Sequence, residues 1–246
     1  MKITQTPSPN HDARTLPVSL LVLHYTGMET GQAALERMCA GAAKVSAHYM
    51  VAEDGHISQL VDESRRAWHA GLSEWAGESN INSASIGIEI VNGGHDYGLP
   101  DFPDVQIEAL MSLCRDIQTR HNISLFGLVA HSDIAPERKQ DPGEKFPWQK
   151  LAAHGIGYWP DLKLSAKTQT LFEKGARDRG VAIVQSGLAY LGYAVEVTGV
   201  LDAKTQCILC AFQRRYRPAR IDGQIDVHTM EILTDLANAK KTARTA

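Results

Sequence analysis

The sequence predicts an α/β protein, a mixed central β-sheet flanked by helices, with a second, small three-helix domain behind it. Two observations predict this. Over residues 15 to 160, short apolar or alternating runs of strand length are interleaved with stretches of helical spacing, the pattern of a sheet covered by helices. Beyond a polar segment the chain turns to helix and turn, and there it repeats itself. The first domain is placed at 1–165 and the second at 176–238, with 239–246 expected to be a disordered tail.

Taken in order, Pro17 to His24 (PVSLLVLH) is an apolar, branched run long enough for a buried strand. Thr30 to Ala43 reads as a helix, with Ala33, Ala34, Met38 and Cys39 at helical spacing. Ala47 to Leu60 reads as a hairpin, because Asp54-Gly55 is a turn dipeptide between two strand-like runs. Ser85 to Val91 alternates sharply, placing Ile86, Ile88 and Ile90 on one face and Ser85, Gly87, Glu89 and Val91 on the other. Asp104 to His121 is a helix with an apolar side, Asp104 its expected N-cap and Asn122 its stop. Leu125 to His131 returns to strand, Tyr158-Trp159-Pro160 closes the region, and Asp161 to Gln169 reads as a linker.

The repeat lies in the last part. Gly199-Val-Leu-Asp-Ala-Lys-Thr205 recurs as Gly223-Gln-Ile-Asp-Val-His-Thr229, each copy followed by an apolar helical run. In both copies an Asp, 202 or 226, stands where it can accept from the orphan amides of a helix's first turn. With Val181 to Leu191 as a third helix, this makes a small helical unit.

Composition narrows the function classes. A formal charge of −3 offers no global attraction to nucleic acid. No apolar run approaches the roughly 20 residues that span a bilayer, so no transmembrane segment is expected. Met1 to Arg14 is polar and shows no apolar leader, which makes the cytoplasm the expected compartment. The four cysteines, Cys39, Cys114, Cys207 and Cys210, are sparse in a long chain and are expected to be reduced and structural. Cys207 and Cys210 have a C-x-x-C spacing without a second pair, so burial on one helix face is preferred over redox chemistry or a zinc half-site.

Three residues carry potential chemistry. His24 and His131 each close an apolar strand, and Asp141 follows His131 across a loop with Pro136, Pro142 and Gly143. Two imidazoles and one carboxylate suit a catalytic zinc, which takes three protein ligands and keeps a fourth position for water. Read singly, each histidine is more often a hydrogen-bonded surface or core residue than a metal ligand.

Their surroundings add specificity. Leu23-His24-Tyr25-Thr26, Ser46-Ala47-His48-Tyr49, Ala67-Trp68-His69-Ala70-Gly71, Ser85-Ile86-Gly87-Ile88-Glu89, Ala130-His131-Ser132-Asp133, Lys139-Gln140-Asp141-Pro142-Gly143 and Phe146-Pro147-Trp148 occur in that order. Residues 16 to 160 thereby resemble the AmpD/AmiD-like N-acetylmuramoyl-L-alanine amidases, related in fold to phage T7 lysozyme and to peptidoglycan recognition proteins. The resemblance implies that His24, His131 and Asp141 bind zinc, that Glu89 is the catalytic acid/base, and that Lys139 stabilises the transition state. It implies a peptidoglycan or muropeptide substrate, with His48, Trp68, His69 and Asn82 as candidate substrate-binding residues. For His48 and His69 a role in orienting a ligand or in packing stands equally open, as does packing for Trp68 and a turn cap for Asn82.

Residues 180 to 236 resemble the three-helix peptidoglycan-binding domain. The resemblance rests on Val184-Gln185-Ser186-Gly187-Leu188, Leu191-Gly192-Tyr193, the Asp202 to Thr205 turn, Phe212-Gln213, Asp222-Gly223 and Asp226 to Thr229. Leu191, Leu209, Phe212 and Leu233 are expected core, while Arg214, Arg215, Arg217 and Arg220 are expected to form a solvated basic face. Such a domain would anchor the chain to the wall and favours the periplasm or envelope as the alternative compartment. A monomer is expected.

Overall fold

A computed structural model describes residues 2–166 and 168–245. Its elements in chain order are β1 (Ile3–Gln5), β2 (His11–Ala13), β3 (Leu20–Tyr25), α1 (Gly31–Cys39), β4 (Tyr49–Val51), β5 (Ile57–Gln59) and β6 (Arg65–Ala67). There follow α2 (Ile81–Ala84), β7 (Ser85–Ile90), α3 (Asp104–His121), β8 (Leu128–Ala130), α4 (His131–Ile134) and α5 (Trp148–Ala153). The C-terminal part holds β9 (Thr170–Phe172), α6 (Arg179–Leu191), α7 (Ala203–Tyr216), β10 (Ile225–Asp226) and α8 (Val227–Thr245).

The central sheet has six strands in the order β1-β5-β4-β7-β3-β8. β4, β7, β3 and β8 run parallel, whereas β5 opposes β4 through the Asp54-Gly55 hairpin. Parallel strands are covered on both faces, which explains why β3 and β7 are buried nearly throughout. Leu21, Leu23, Ile86, Ile88 and Ile90 pack with Ile107, Leu110 and Ile117 of α3 on one side. The opposite face carries Leu20, Val22 and Val129, and it ends in His24, Glu89 and His131.

What covers that second face is the C-terminal domain. Leu20, Val22, Val129 and Ile134 belong to the same apolar cluster as Val184, Leu188, Phe212 and Leu236. The two parts of the chain therefore share one core.

Inside the helical part the sequence repeat becomes a structural one. Asp202 caps α7 by accepting from Thr205 N at 2.8 Å, and Asp226 accepts from Thr229 N at 2.9 Å. A buried glutamine clamps each preceding loop. Gln185 accepts from Thr198 N and Gly199 N and donates to the Val200 carbonyl, while Gln213 accepts from Asp222 N and Gly223 N and donates to the Gln224 carbonyl.

Several expectations are corrected. The C-terminal part is not all helix and turn, because β9 and β10 form a small antiparallel pair. α8 continues through the segment expected to be a tail, since Lys240 is buried and donates to the Leu191 carbonyl at 2.7 Å; Ala246 lies outside the described residues. Asp104 is the first residue of α3 and pairs with Lys150 at 2.6 Å, leaving Pro103 as its N-cap, whereas Asn122 ends the helix in the left-handed region as expected. The arginines of 214–220 are not a solvated face. Arg215 pairs with Asp133 and Arg217 with Asp226, all four side chains being buried. Cys207 and Cys210 are free, as expected, and half-buried on α7 where burial was expected. Among the described residues no helix is long and apolar enough to cross a membrane.

Candidate metal centre and active site

Parallel strands in register deliver the site. His24 of β3 is the register partner of Glu89 on β7, and His131 follows directly on β8, whose Ala130 pairs with Leu23. These are the C-terminal ends of three adjacent parallel strands, where open α/β sheets gather their ligands. The loop after α4 brings Asp141 to the same point, fastened by Ser132 N donating to the Asp141 carbonyl at 3.0 Å.

Three donor atoms converge there. His24 Nδ1 lies 2.9 Å from His131 Nδ1, and Asp141 Oδ2 lies 3.1 Å from the first and 2.9 Å from the second. All three residues are buried. A tetrahedral ion with bonds of about 2.0–2.1 Å would separate its donors by about 3.3 Å, close to this spacing.

The outer hydrogen bonds assign a tautomer to each imidazole. The Ile81 carbonyl can only accept, so the Ser85 hydroxyl donates to it at 2.5 Å. Ser85 Oγ then accepts from His69 Nε2 at 3.2 Å, leaving His69 Nδ1 as an acceptor. That nitrogen faces His24 Nε2 at 3.0 Å, so His24 carries its proton on Nε2 and a lone pair on Nδ1. Similarly, His131 Nε2 donates to the Ala70 carbonyl at 3.2 Å, which in a neutral ring turns the Nδ1 lone pair toward Asp141. Burial first, and His131 second, push His24 down to about 4, so it is neutral near pH 7. Two ring nitrogens and a carboxylate oxygen, each a metal-ligating atom, thus face one another within 3.1 Å, an arrangement that fits a bound cation once the rings are neutral.

One short segment supplies both outer partners. His69 and Ala70 are adjacent, and Asn82 Oδ1 fixes them by accepting from both amides, at 3.0 and 2.8 Å. Gly87 makes room, because a Cβ there would stand 2.4 Å from His69 Cγ. His48 accepts from Gly87 N at 3.0 Å and touches Arg14; burial, then the Arg14 charge, push it down to about 3. By these placements His69 bonds His24, His48 packs behind Gly87, and Asn82 holds the His69–Ala70 backbone. The half-buried Trp68 donates its indole N–H to Asp12 at 3.2 Å with Lys44 over its ring.

Glu89 borders a cavity of about 520 Å³ lined also by Thr26, Met28, Arg37, Met38 and Tyr97. One of its carboxylate oxygens is buried without a hydrogen-bond partner. Burial drives the Glu89 carboxyl well above the usual range; Asp141 adds to this, and Lys139 opposes it. The Lys139 ammonium makes no hydrogen bond or ion pair among the described residues, and its charge reaches both Glu89 and His24. Sequence reasoning missed the cavity's Arg37 and Tyr97. An arginine on an exposed helix face and a tyrosine in a turn carry no signal until α1 and the His95–Tyr97 turn are set beside β7.

Residues 14–144, just over half of the chain, match the family model of N-acetylmuramoyl-L-alanine amidases. The chain belongs to this family. Residues 177–233 match a second family, the peptidoglycan binding domain. The amidase is 37% identical over 233 residues to N-acetylmuramoyl-L-alanine amidase AmiD of Escherichia coli, covering 87% of this chain and 80% of that one. The solved complex of Escherichia coli AmiD with anhydro-N-acetylmuramic acid-L-Ala-D-γ-Glu-L-Lys superposes with a TM-score of 0.80 at 34% identity, covering 93% of this chain and 92% of the other. AmpDh3 of Pseudomonas aeruginosa gives a TM-score of 0.76 at 37% identity, covering 91% and 92%. The likeness extends through both domains.

Proposed function

We propose that this amidase uses zinc to hydrolyse the bond between the lactyl group of N-acetylmuramic acid and the L-alanine of the stem peptide. The substrate is peptidoglycan or its soluble muropeptides, 1,6-anhydro forms included. The observation that most supports this is the meeting of three buried ligand atoms, on His24, His131 and Asp141, beside the enclosed Glu89 carboxyl. When bound, zinc lowers the pKa of a water to about 7 and polarises the scissile carbonyl. Glu89 takes the proton of the attacking water on its carboxylate and passes it to the departing alanine nitrogen. Its enclosed position, which favours the protonated form, lets it hold that proton between the two transfers. Lys139, without a competing ion pair among the described residues, is placed to steady the oxyanion that develops on the carbonyl. The cavity beside Glu89 receives the substrate, and the second domain holds the wall.

Mass spectrometry of muropeptides and whole sacculi, incubated with the protein with and without a chelator, tests the proposal. Free peptides beginning at L-alanine, abolished by chelation and restored by zinc, are expected. Zinc-loaded protein that binds sacculi but releases nothing overturns the reading and leaves a recognition protein. The ratio of the two substrates' rates reports which form the site prefers.

A further inference from the structure

His131 opens α4, a single helical turn that would have no stability in isolation. Its third residue, Asp133, is fully buried and accepts three hydrogen bonds. One comes from the helix's own entry, Ala130 N to Oδ2 at 2.9 Å. The other two come from the C-terminal domain: Arg215 Nη1 to Oδ2 at 2.6 Å and Tyr193 O–H to Oδ1 at 2.7 Å. Arg215 also donates through Nη2 to the Leu128 carbonyl at 2.8 Å, at the start of the strand that leads into α4. It thereby brackets His131, gripping the backbone three residues before it and a side chain two residues after it. Because Ser132 N holds the Asp141 carbonyl, whatever fixes α4 also fixes the third donor.

We propose that Tyr193 and Arg215 are positioning residues of the metal centre, so that the C-terminal domain holds the geometry of His131 and Asp141 through Asp133. This rests on the reading of those residues as metal ligands. The physical case is that joining the domains does not need this pair. Leu20, Val22 and Val129 already share an apolar cluster with Val184, Leu188 and Phe212. A buried ion pair adds little to stability over apolar residues of similar size, because desolvation offsets most of its attraction; what it specifies is position. Arg215 is itself set in place, with Trp148 of the first domain and Tyr216 of the second lying 4.2 and 4.9 Å from its guanidinium carbon. Metal donors tolerate displacements of only about 0.5 Å, and a one-turn helix cannot enforce that tolerance by itself.

The test compares zinc affinity, by chelator competition, in the full chain and in Y193F, R215K and Y158F. Y193F removes one hydroxyl and keeps the ring packed against Trp75. R215K keeps the charge but cannot span both Asp133 and the Leu128 carbonyl. Y158F is the matched control, since Tyr158 donates to Asp235 of α8 at 3.0 Å, away from α4. Removing an outer partner of a metal site weakens metal binding by about 10–100-fold. About tenfold weaker zinc binding is therefore expected in Y193F and R215K, with kcat lowered more than KM and the d–d spectrum of the cobalt-substituted protein altered. Y158F should bind zinc as the parent does. Parental affinity in both Y193F and R215K overturns the proposal, as does equal weakening in Y158F, which would mark a general loss of stability. Those results leave the metal centre standing. A parent chain that takes up no zinc overturns the metal-centre reading itself.

Discussion

Replacing His69 with alanine takes away the acceptor that faces His24 Nε2 at 3.0 Å. His24 is buried, so its N–H would be left without a partner, a loss of about 1–3 kcal/mol. The tautomer is also released, because nothing then prevents the proton from moving to Nδ1, where it competes with the metal. Outer-partner substitutions weaken metal binding by about 10–100-fold, or about 1.4–2.7 kcal/mol, which overlaps the range obtained from the lost hydrogen bond. His69→Ala should therefore raise the zinc dissociation constant by about one to two orders of magnitude in a chelator competition. His69→Asn supplies an oxygen close to the position of Nδ1 and should recover most of the loss, although it abandons the bond to Ser85. Parental zinc affinity in His69→Ala would refute the chain of protons running from Ile81 to His24.

Further outcomes follow from the same structure. Glu89→Gln should lower kcat by about 10²–10⁴-fold with zinc still bound, measured by metal analysis alongside turnover. Gly87→Ala would push a methyl group into His69 and should cost about 1–3 kcal/mol in urea unfolding together with some zinc affinity; unchanged values in both would contradict the packing described. For Glu63, burial raises the carboxyl, but hydrogen bonds from Arg120, His121 and Tyr49 outweigh it and hold it at about 2. A folded pKa below the unfolded one contributes stability that is complete above about pH 4.5 and lost as the pH falls toward 2. Glu63→Gln should therefore be less stable than the parent at pH 7 and approach it at pH 3; a gap independent of pH would refute the assignment.

How much of this was legible in the sequence depended on whether the deciding partner was near in the chain. The alternation Ser85 to Val91 placed Glu89 opposite the isoleucines, and the structure puts Ile86, Ile88 and Ile90 against α3 with Glu89 on the other face. Local chemistry fixed the Asp54-Gly55 hairpin, the left-handed stop at Asn122 and the capping aspartates of the repeat. By contrast, β1 and β2 are three-residue strands whose partners, β5 and β6, lie some fifty residues on, and nothing within them marks an edge strand. The arginine cluster was misread for the same reason. Charge visible in a local stretch is solvated by default, and Asp133, which buries Arg215, is 82 residues away. His48 and His69 were visible as polar residues in a recognisable order, yet order says nothing about which face of a strand they lie against.

The joined core also changes what the second domain can contribute. A polar linker such as 161–169 would ordinarily let an anchored catalytic domain sweep its surroundings, raising the local substrate concentration without fixing any direction. Here Arg215 on Asp133, Tyr158 on Asp235 and the apolar cluster shared by both domains remove that freedom. Whatever α6–α8 bind therefore lies at a fixed distance from His24, His131 and Asp141. The same rigidity explains why the polar groups around the donors are satisfied from two sides. His69 and Ala70 bond the outer nitrogens of the imidazoles, while Arg215 and Tyr193 hold the turn that carries one of them. Against this fixed frame, Glu89 keeps one oxygen without a hydrogen-bond partner and Lys139 keeps its ammonium without one among the described residues. The groups proposed to move protons and meet charge are those that the frame leaves uncommitted.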